Sequence, residues 1–554
     1  MSALDFKTKL DKSTYHAVVC SIASLVLAVI LLVFGPAAVD QAAHSHLQQV
    51  FAGRGFILWD NSWYLGRYSF VNYSFVTYLL SYLIGLKTVA AISIASSAGL
   101  ISSLSDRVFP GSFPGKSRCS LLAISFIVLT GAWPFLLGTT FLLLALFMYQ
   151  MGKRLLFVAV AVLVLLTSPL ALLALMLIVA VAEMPSGLLQ GGSGLSDFVR
   201  KSFSSFYLLV VIILGGFQLL SMRAFPDHGY YPFWISDLVL VEIFTLVSFL
   251  LVPKRHVLAA KLKALIFGYG LINLVAFLFK SNLGSNATRV VDFALPITVA
   301  LLGMRNFKPR LPAVILIVLA MVWNFSPLSQ IFSSSIYNTS NSAYWEKLKP
   351  FLARYLVPGS RVELVDTANH QGDYYLPSMG FPIVRGWFRQ DDFPQNQLFY
   401  SRGSLSKDQY LSWLKRSGAS LVVLPAGPYD FSSVKEAQLL MSGDSGLRLL
   451  AEVGDTRIFA VPGDPTIVHA PNGSYISAKI GIDSVSFDAP LSGRYSLSLF
   501  YSPYFNASSG AICANTIGLT TWIINNPGPN RLVFDFNFRK AISVLMGHTS
   551  GSCR

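Results

Sequence analysis

The chain has 554 residues, of which 53% are hydrophobic and only 12% charged, about half the charged share of an ordinary soluble domain. A mean hydropathy of +0.57 over that length excludes an ordinary cytosolic enzyme, a disordered chain and a collagen-like fibre, and places much of the polypeptide in lipid. The 42 Lys and Arg against 27 Asp and Glu leave a formal charge of +15, and where that excess sits decides whether it means nucleic acid or membrane topology.

Apolar runs are concentrated before residue 327. The first, 18–34, follows Lys7, Lys9 and Lys12; a signal peptide has this form, but the many later runs favour a retained membrane helix. Further spans are expected at 89–104, 119–131, 138–151, 155–167, 170–182, 206–222, 238–252, 265–279, 290–304 and 311–325, making eleven. Several are shorter than the roughly 20 residues a bilayer crossing takes. With the N-terminus in the cytoplasm, the clusters Arg107/Lys116/Arg118, Lys153/Arg154, Arg200/Lys201, Lys254/Arg255/Lys261/Lys263 and Arg305/Lys308/Arg310 all fall on the cytoplasmic side. An odd count then puts residues 327–554 outside. The run 68–86, interrupted by Asn72, Ser74, Thr77 and Ser81 and rich in aromatics at its start, reads as an interfacial helix within a first external loop over 38–87.

The expected architecture is therefore a polytopic α-helical membrane domain over 1–326, an external α/β module over 327–464, and an external β-sandwich or jelly-roll module over 465–554. Runs 361–366 and 420–425 have β character, while 344–356, 406–415 and 432–441 have helical spacing. From Pro465 onward apolar and polar residues alternate, as in Tyr495-Ser-Leu-Ser-Leu-Phe500, with turns such as Asn526-Pro-Gly-Pro. Cys20 and Cys119 fall in or beside membrane helices. Cys513 and Cys553 share the external β module, where an oxidising setting favours a disulfide over two free thiols. No Cys/His spacing has the form of a zinc site, so no metal ligand is assigned and a divalent metal is left open.

The first external loop carries the candidate chemistry. Asp40 directly follows the first helix, and if the loop begins as a helix His44 shares its face. A carboxylate at the mouth of a membrane cavity, close to an imidazole, is suited to take a proton from an attacking hydroxyl; alternatively, Asp40 simply caps the helix. Asp60, the other acid of the loop, lies in Trp59-Asp-Asn-Ser-Trp63-Tyr-Leu-Gly66. Arg289, three residues after Asn286 in the short outer loop 281–289, could pair bidentately with a phosphate or merely snorkel at the interface. Glu183, Glu242 and Asp292 are further ionisable groups within or beside spans, and Asp292 has the spacing to pair with Arg289. In the external region His370, Arg385, Trp387 and Arg389 combine an indole face with guanidinium donors, a set suited to sugars; the same residues would equally serve as a core anchor and surface ion pairs.

Asp40 with His44, the Trp59–Gly66 stretch and the following aromatic run resemble the first external loop of polytopic C-type (GT-C) glycosyltransferases. More closely, the chain resembles an actinobacterial family of integral membrane proteins of that superfamily, through Trp133-Pro-Phe-Leu-Leu-Gly138, Thr167-Ser-Pro-Leu170, Gly284-Ser-Asn-Ala-Thr-Arg289, Arg385-Gly-Trp-Phe-Arg-Gln390 and Asn396-Gln-Leu-Phe-Tyr400. The resemblance implies a GT-C-like fold and transfer of a sugar from a polyprenyl-phosphate donor on the outer face of the membrane, with Asp40 as general base. It implies His44, Asp60, Trp63, Asn286 and Arg289 as candidate substrate contacts, joined by His370, Arg385, Trp387 and Arg389. The paired acids that follow the first helix in some members are missing, which puts a metal-assisted version in doubt. The implied partners are membrane lipid, the lipid-linked donor and an envelope glycan or glycolipid acceptor, with no nucleic acid. The alternative is a catalytically inactive relative that scaffolds envelope polysaccharide assembly. A transporter fits less well, since there is no internal repeat and the acids gather at the outer rim.

Overall fold

Apolar residues recurring around the full circumference of a helix leave no polar face to turn to water, so such helices suit lipid or a helical bundle. The computed structural model describes residues 3–71, 73–109, 115–185, 205–226, 229–334 and 338–547. Each of the eleven expected spans overlaps a helix, with some boundaries shifted by a turn or more, as for Ala259–Leu278 and Arg310–Ser334. Among the described residues, six helices are long and apolar enough to cross a membrane: Lys12–Phe34, Leu86–Val108, Trp133–Gln150, Phe206–Ala224, Ala259–Leu278 and Gly284–Gly303. Shorter apolar helices lie at Ser117–Leu129, Arg154–Leu165, Pro169–Glu183 and Arg310–Ser326, and another spans Ile235–Leu251.

The chain divides into two compact units. The first comprises Met1–Ala38, Asn72–Leu219 and Tyr230–Ser333, the second Val39–Val71, Leu220–Gly229 and Ser334–Arg554. In the first unit, helix Ala3–Phe34 packs along Leu86–Val108. Small residues let the backbones close up, and a Cβ at Gly99 would lie 2.2 Å from Ser21 Oγ. Ser97 Oγ and Thr140 Oγ1 hydrogen-bond at 2.9 Å between Leu86–Val108 and the helix Trp133–Gln150. The interrupted aromatic run gives only the nine-residue helix Val76–Ile84, roughly 13 Å long and under half the thickness of a hydrocarbon core.

Among the described residues, the second unit contains four sheets. The strands β1 (Trp59–Asp60) and β2 (Arg67–Tyr68) form a short antiparallel pair within the first loop. Strands β3 (Arg361–Leu364), β4 (Ala419–Leu424), β5 (Arg448–Val453) and β6 (Thr456–Ala460) form a sheet in the order β3-β4-β6-β5. Only β3 and β4 run parallel, and their crossover carries helices at Gln371–Ser378, Arg389–Gln395 and Lys407–Ser417. Every residue of β3 and β4 is buried.

Two antiparallel sheets follow over 468–534, one of five strands and one of four. Alternating residues of both, among them Val468, Val485, Leu497, Trp522 and Leu532, fill one core. Trp59 of the first loop belongs to that core, stacked on Phe534 at 5.6 Å.

Candidate functional site

The site is built on the loop that leaves the first helix. Asp40 holds the N-cap position of helix Gln41–Arg54, yet its side chain makes no capping hydrogen bond. Its Oδ1 instead accepts a 3.0 Å hydrogen bond from Trp387 Nε1. Asp40 is half-buried, so the carboxylate is held without being sealed away. His44 lies one turn along the same helix and is buried, with its amide directed at the Asp40 carbonyl at 3.4 Å.

The Trp59–Gly66 stretch is committed to the fold of the second unit. Asp60 is fully buried and its Oδ2 lies 2.7 Å from His46 Nε2, while its Oδ1 accepts from the Ser62 amide at 2.8 Å. Burial opposes ionisation of Asp60, but His46 and Ser62 outweigh it and hold the carboxyl below its ordinary range. His46 stacks on Trp63 at 4.3 Å. Trp63, with no exposed surface, donates from Nε1 to the Asp373 carbonyl at 3.0 Å. Its ring presses on the backbone at Gly386, where a Cβ would come within 2.5 Å of it. Asn61 donates to the Gly481 carbonyl at 2.7 Å.

The segment 385–392 brings the charged residues together. Arg385 pairs bidentately with Asp392 at 2.9 and 2.8 Å and also donates to Ser432 and Ser433. Arg389 pairs bidentately with Asp430 at 3.1 and 3.0 Å and lies 4.7 Å over the Trp387 ring. His370 stacks on Trp387 at 3.4 Å, with its Nδ1 2.5 Å from Asp366 Oδ2. A small recess among Asp366, Asp373, Arg385, Trp387, Arg389 and Asp392 marks where these groups meet. The arginines are buried ion pairs rather than surface ones.

Buried charge is unevenly balanced here. Burial would loosen the proton of Arg385, but Asp392 and Glu363 more than reverse it; burial raises Asp430, and Arg389 more than offsets this, leaving its carboxyl well below the usual range. Other carboxyls are not rescued. Burial raises Glu363, reinforced by Glu436, and lifts Glu436 to about 7 despite Arg385. Burial, and then the neighbouring Asp366 charge, pushes Asp373 well up, while Asp366 is raised by burial in spite of His370. Asp366, His370 and Asp373 are the residues here that could hold a metal ion.

Asn286 and Arg289 belong to the first unit. They lie in the 3-10 segment Gly284–Phe293, where Arg289 Nε donates to Asn286 Oδ1 at 2.9 Å. The same segment supplies Ala287, Val290 and Val291 to the wall of a cavity of about 420 Å³ between the helices, lined chiefly by side chains such as Leu142, Leu177, Phe244 and Ile297. Within this unit Tyr149 donates to Glu183 at 2.6 Å, and Thr245 to Glu242 at 3.1 Å.

Of the residues singled out from sequence, Asp40, Asp60, Trp63, His370, Arg385, Trp387 and Arg389 thus fall in one interconnected set. His46, Glu363, Asp366, Asp373, Asp392, Asp430 and Glu436 were missed. One signal was present: Asp366, His370 and Asp373 follow helical spacing in a chain with only 27 acids. Cys513 is buried on the strand Ala511–Ala514, and its expected partner Cys553 lies outside the described residues. Cys20 and Cys119 are free thiols.

No family model matches the chain, and no curated protein matches it in sequence. Among solved structures it is similar to ArnT from Cupriavidus metallidurans in the apo state, with TM-score 0.41 and 14% identity over 80% of this chain and 97% of that one. It is similar to a mutant of the mycobacterial arabinofuranosyltransferase AftD, with TM-score 0.46 and 15% identity over 81% of this chain and 42% of the other. It is also similar to AftD from Mycobacteria itself, with TM-score 0.46, 14% identity and 94% of this chain covered, and it spans 57% of that enzyme's chain.

Proposed function

We propose that the chain is a multi-pass glycosyltransferase of the GT-C type that moves a sugar from a polyprenyl-phosphate donor to an envelope glycan or glycolipid. In this reading eleven segments cross the plasma membrane, the N-terminus is cytoplasmic, and residues 327–554 form the α/β and β-sandwich modules on the outer face. The observation that carries it is the Asp40 carboxylate, half-buried at the N-cap of helix Gln41–Arg54, with no capping hydrogen bond and bonded instead by Trp387. Asp40 takes the proton of the acceptor hydroxyl as that oxygen bonds the anomeric carbon. The bond from that carbon to the donor phosphate breaks, and polyprenyl phosphate leaves.

Within the first unit, Arg289, held by Asn286, is the candidate partner for a lipid phosphate, and the apolar cavity lined by the same segment suits a lipid chain. Trp387, half-buried and bonded to Asp40, is the ring offered to a sugar, whereas the buried His370, Asp60, Trp63, Arg385 and Arg389 support the arrangement through their own partners. Asp40→Asn preserves the shape and the Trp387 contact while removing the base. Transfer from a polyprenyl-phosphate sugar by the purified protein in nanodiscs should fall by at least about a hundredfold with an unchanged melting temperature. Full activity in this variant would end the mechanism.

A second reading, a non-catalytic binder that scaffolds envelope assembly, is favoured by the way Arg385 and Arg389 are committed to Asp392 and Asp430 rather than open to a ligand. It predicts a growth or envelope phenotype on removing 340–554 and none for Asp40→Asn.

A further inference from the structure

Asp366, His370 and Asp373 converge in the second unit independently of any role for Asp40. Each offers one ligand atom, and the three atoms lie within 4.8 Å of one another. Asp366 follows β3, His370 precedes the helix Gln371–Ser378 in a left-handed conformation (φ 55°, ψ 14°), and Asp373 sits in that helix's first turn. All three are buried, Asp373 and His370 being 2% exposed and Asp366 6%.

Two carboxylate oxygens of this cluster, Asp366 Oδ1 and Asp373 Oδ2, have no hydrogen-bond partner among the described residues. A buried carboxylate oxygen without a donor is costly, and two in one cluster repel each other. The nearby cations do not relieve them by hydrogen bonding, because Arg385 is engaged by Asp392 and Arg389 by Asp430. The buried carboxyls Glu363, Asp366, Asp373, Asp392, Asp430 and Glu436 outnumber these two guanidiniums three to one. Either protons or a cation must make up the difference.

We propose that Asp366, His370 and Asp373 bind a divalent transition-metal ion of the Mn²⁺ or Zn²⁺ kind. Two carboxylate oxygens and an imidazole nitrogen form a mixed donor set that suits these ions, whereas Ca²⁺ takes six to eight oxygens and Mg²⁺ keeps most of its water. One dication balances the charge of the Asp366 and Asp373 carboxylates, each of which has one oxygen without a hydrogen-bond partner among the described residues. Its position braces the His370 ring, which stacks on Trp387. The site goes beyond the transferase reading and does not rest on it, so metal uptake and sugar transfer fail or succeed separately.

The test uses the full chain in detergent, stripped with a chelator and titrated with MnCl₂ by electron paramagnetic resonance and with ZnCl₂ by calorimetry, with CaCl₂ and MgCl₂ as comparison titrations. One equivalent of either ion should bind, with a rise in melting temperature of the unaltered chain. Asp373→Asn and His370→Gln should each weaken binding by at least about tenfold, while Asp408→Asn, at an exposed acid, should not. The proposal is overturned if the stripped chain takes up neither ion and its melting temperature does not move, as expected were protons alone to neutralise the cluster. It is equally overturned if both ligand variants bind as tightly as the parent, or if only Ca²⁺ or Mg²⁺ binds. The melting-temperature readout on the unaltered chain keeps the test decisive should either variant fail to fold.

Discussion

Trp387 donates its indole N–H to the Asp40 carboxylate at 3.0 Å, joining residues 347 positions apart. The same ring stacks on His370 at 3.4 Å and lies under the Arg389 guanidinium. A hydrogen bond to an ionised group contributes about 1.5–3 kcal/mol. Trp387→Phe keeps a ring for both stacking partners and removes only the donor. On the proposed mechanism kcat for sugar transfer should fall about tenfold or more, while the melting temperature changes little. An unchanged kcat would separate Asp40 from Trp387 functionally.

Arg385 is 5% exposed, and its guanidinium is bound by Asp392, Ser432 and Ser433 with Glu436 at 3.6 Å. Removing one partner of a buried pair leaves an uncompensated charge and typically costs 3–5 kcal/mol. Arg385→Met should therefore destabilise the second unit by about that amount. The double variant Arg385→Met/Asp392→Leu should recover part of it, as denaturant melts of all three proteins would reveal. Additive losses would show that the pair is not the source.

Glu436 faces Arg385, Glu363 and the Tyr410 hydroxyl, which donates to it at 2.6 Å. Burial lifts its carboxyl from the ordinary 4.5 to about 7. The folded state then holds a proton that the unfolded chain releases, so stability is full below about pH 4.5 and declines as pH rises through about 7. Each unit of that interval corresponds to about 1.4 kcal/mol at most. Glu436→Gln should flatten the melting temperature between pH 5 and pH 7 (roughly the same window). A profile as steep as the parent's would assign the slope to another group.

Gly386 lies against the fully buried Trp63 ring, with no room for a methyl group. Gly386→Ala must displace either the ring or the backbone that carries Arg385 and Trp387, and overpacking of this kind costs about 1–3 kcal/mol. Its melting temperature should drop, and the drop should shrink when Trp63→Leu is added. A larger drop in the double variant would place the strain elsewhere.

Much of the helical part was legible because lipid-facing helices need long apolar runs, and these stand out without any knowledge of their neighbours. Run 420–425 was visible for a similar reason, since a strand buried on both faces is apolar at successive positions, whereas 361–366 buries Arg361 and Glu363 between its apolar residues. The strands β5 and β6, exposed along much of one member, lacked that signal. Asp40, Trp387 and His370 could each be named as candidates from residue type, but nothing local pairs them.

The sequence by itself determined that the chain is polytopic, that its acids are few, and that the loop after the first helix gathers Asp40, His44, His46 and Asp60. The tertiary structure alone decided that this loop folds with residues 334–554, that Trp59 completes the core of the two antiparallel sheets, and that Asp60, Arg385 and Arg389 are tied to buried partners. The reason is physical. Hydropathy and periodicity report what each segment requires of its solvent. Which polar group meets which partner depends on closing loops from 7 residues for Arg385–Asp392 to 347 for Trp387–Asp40, and no pattern within either segment encodes that meeting.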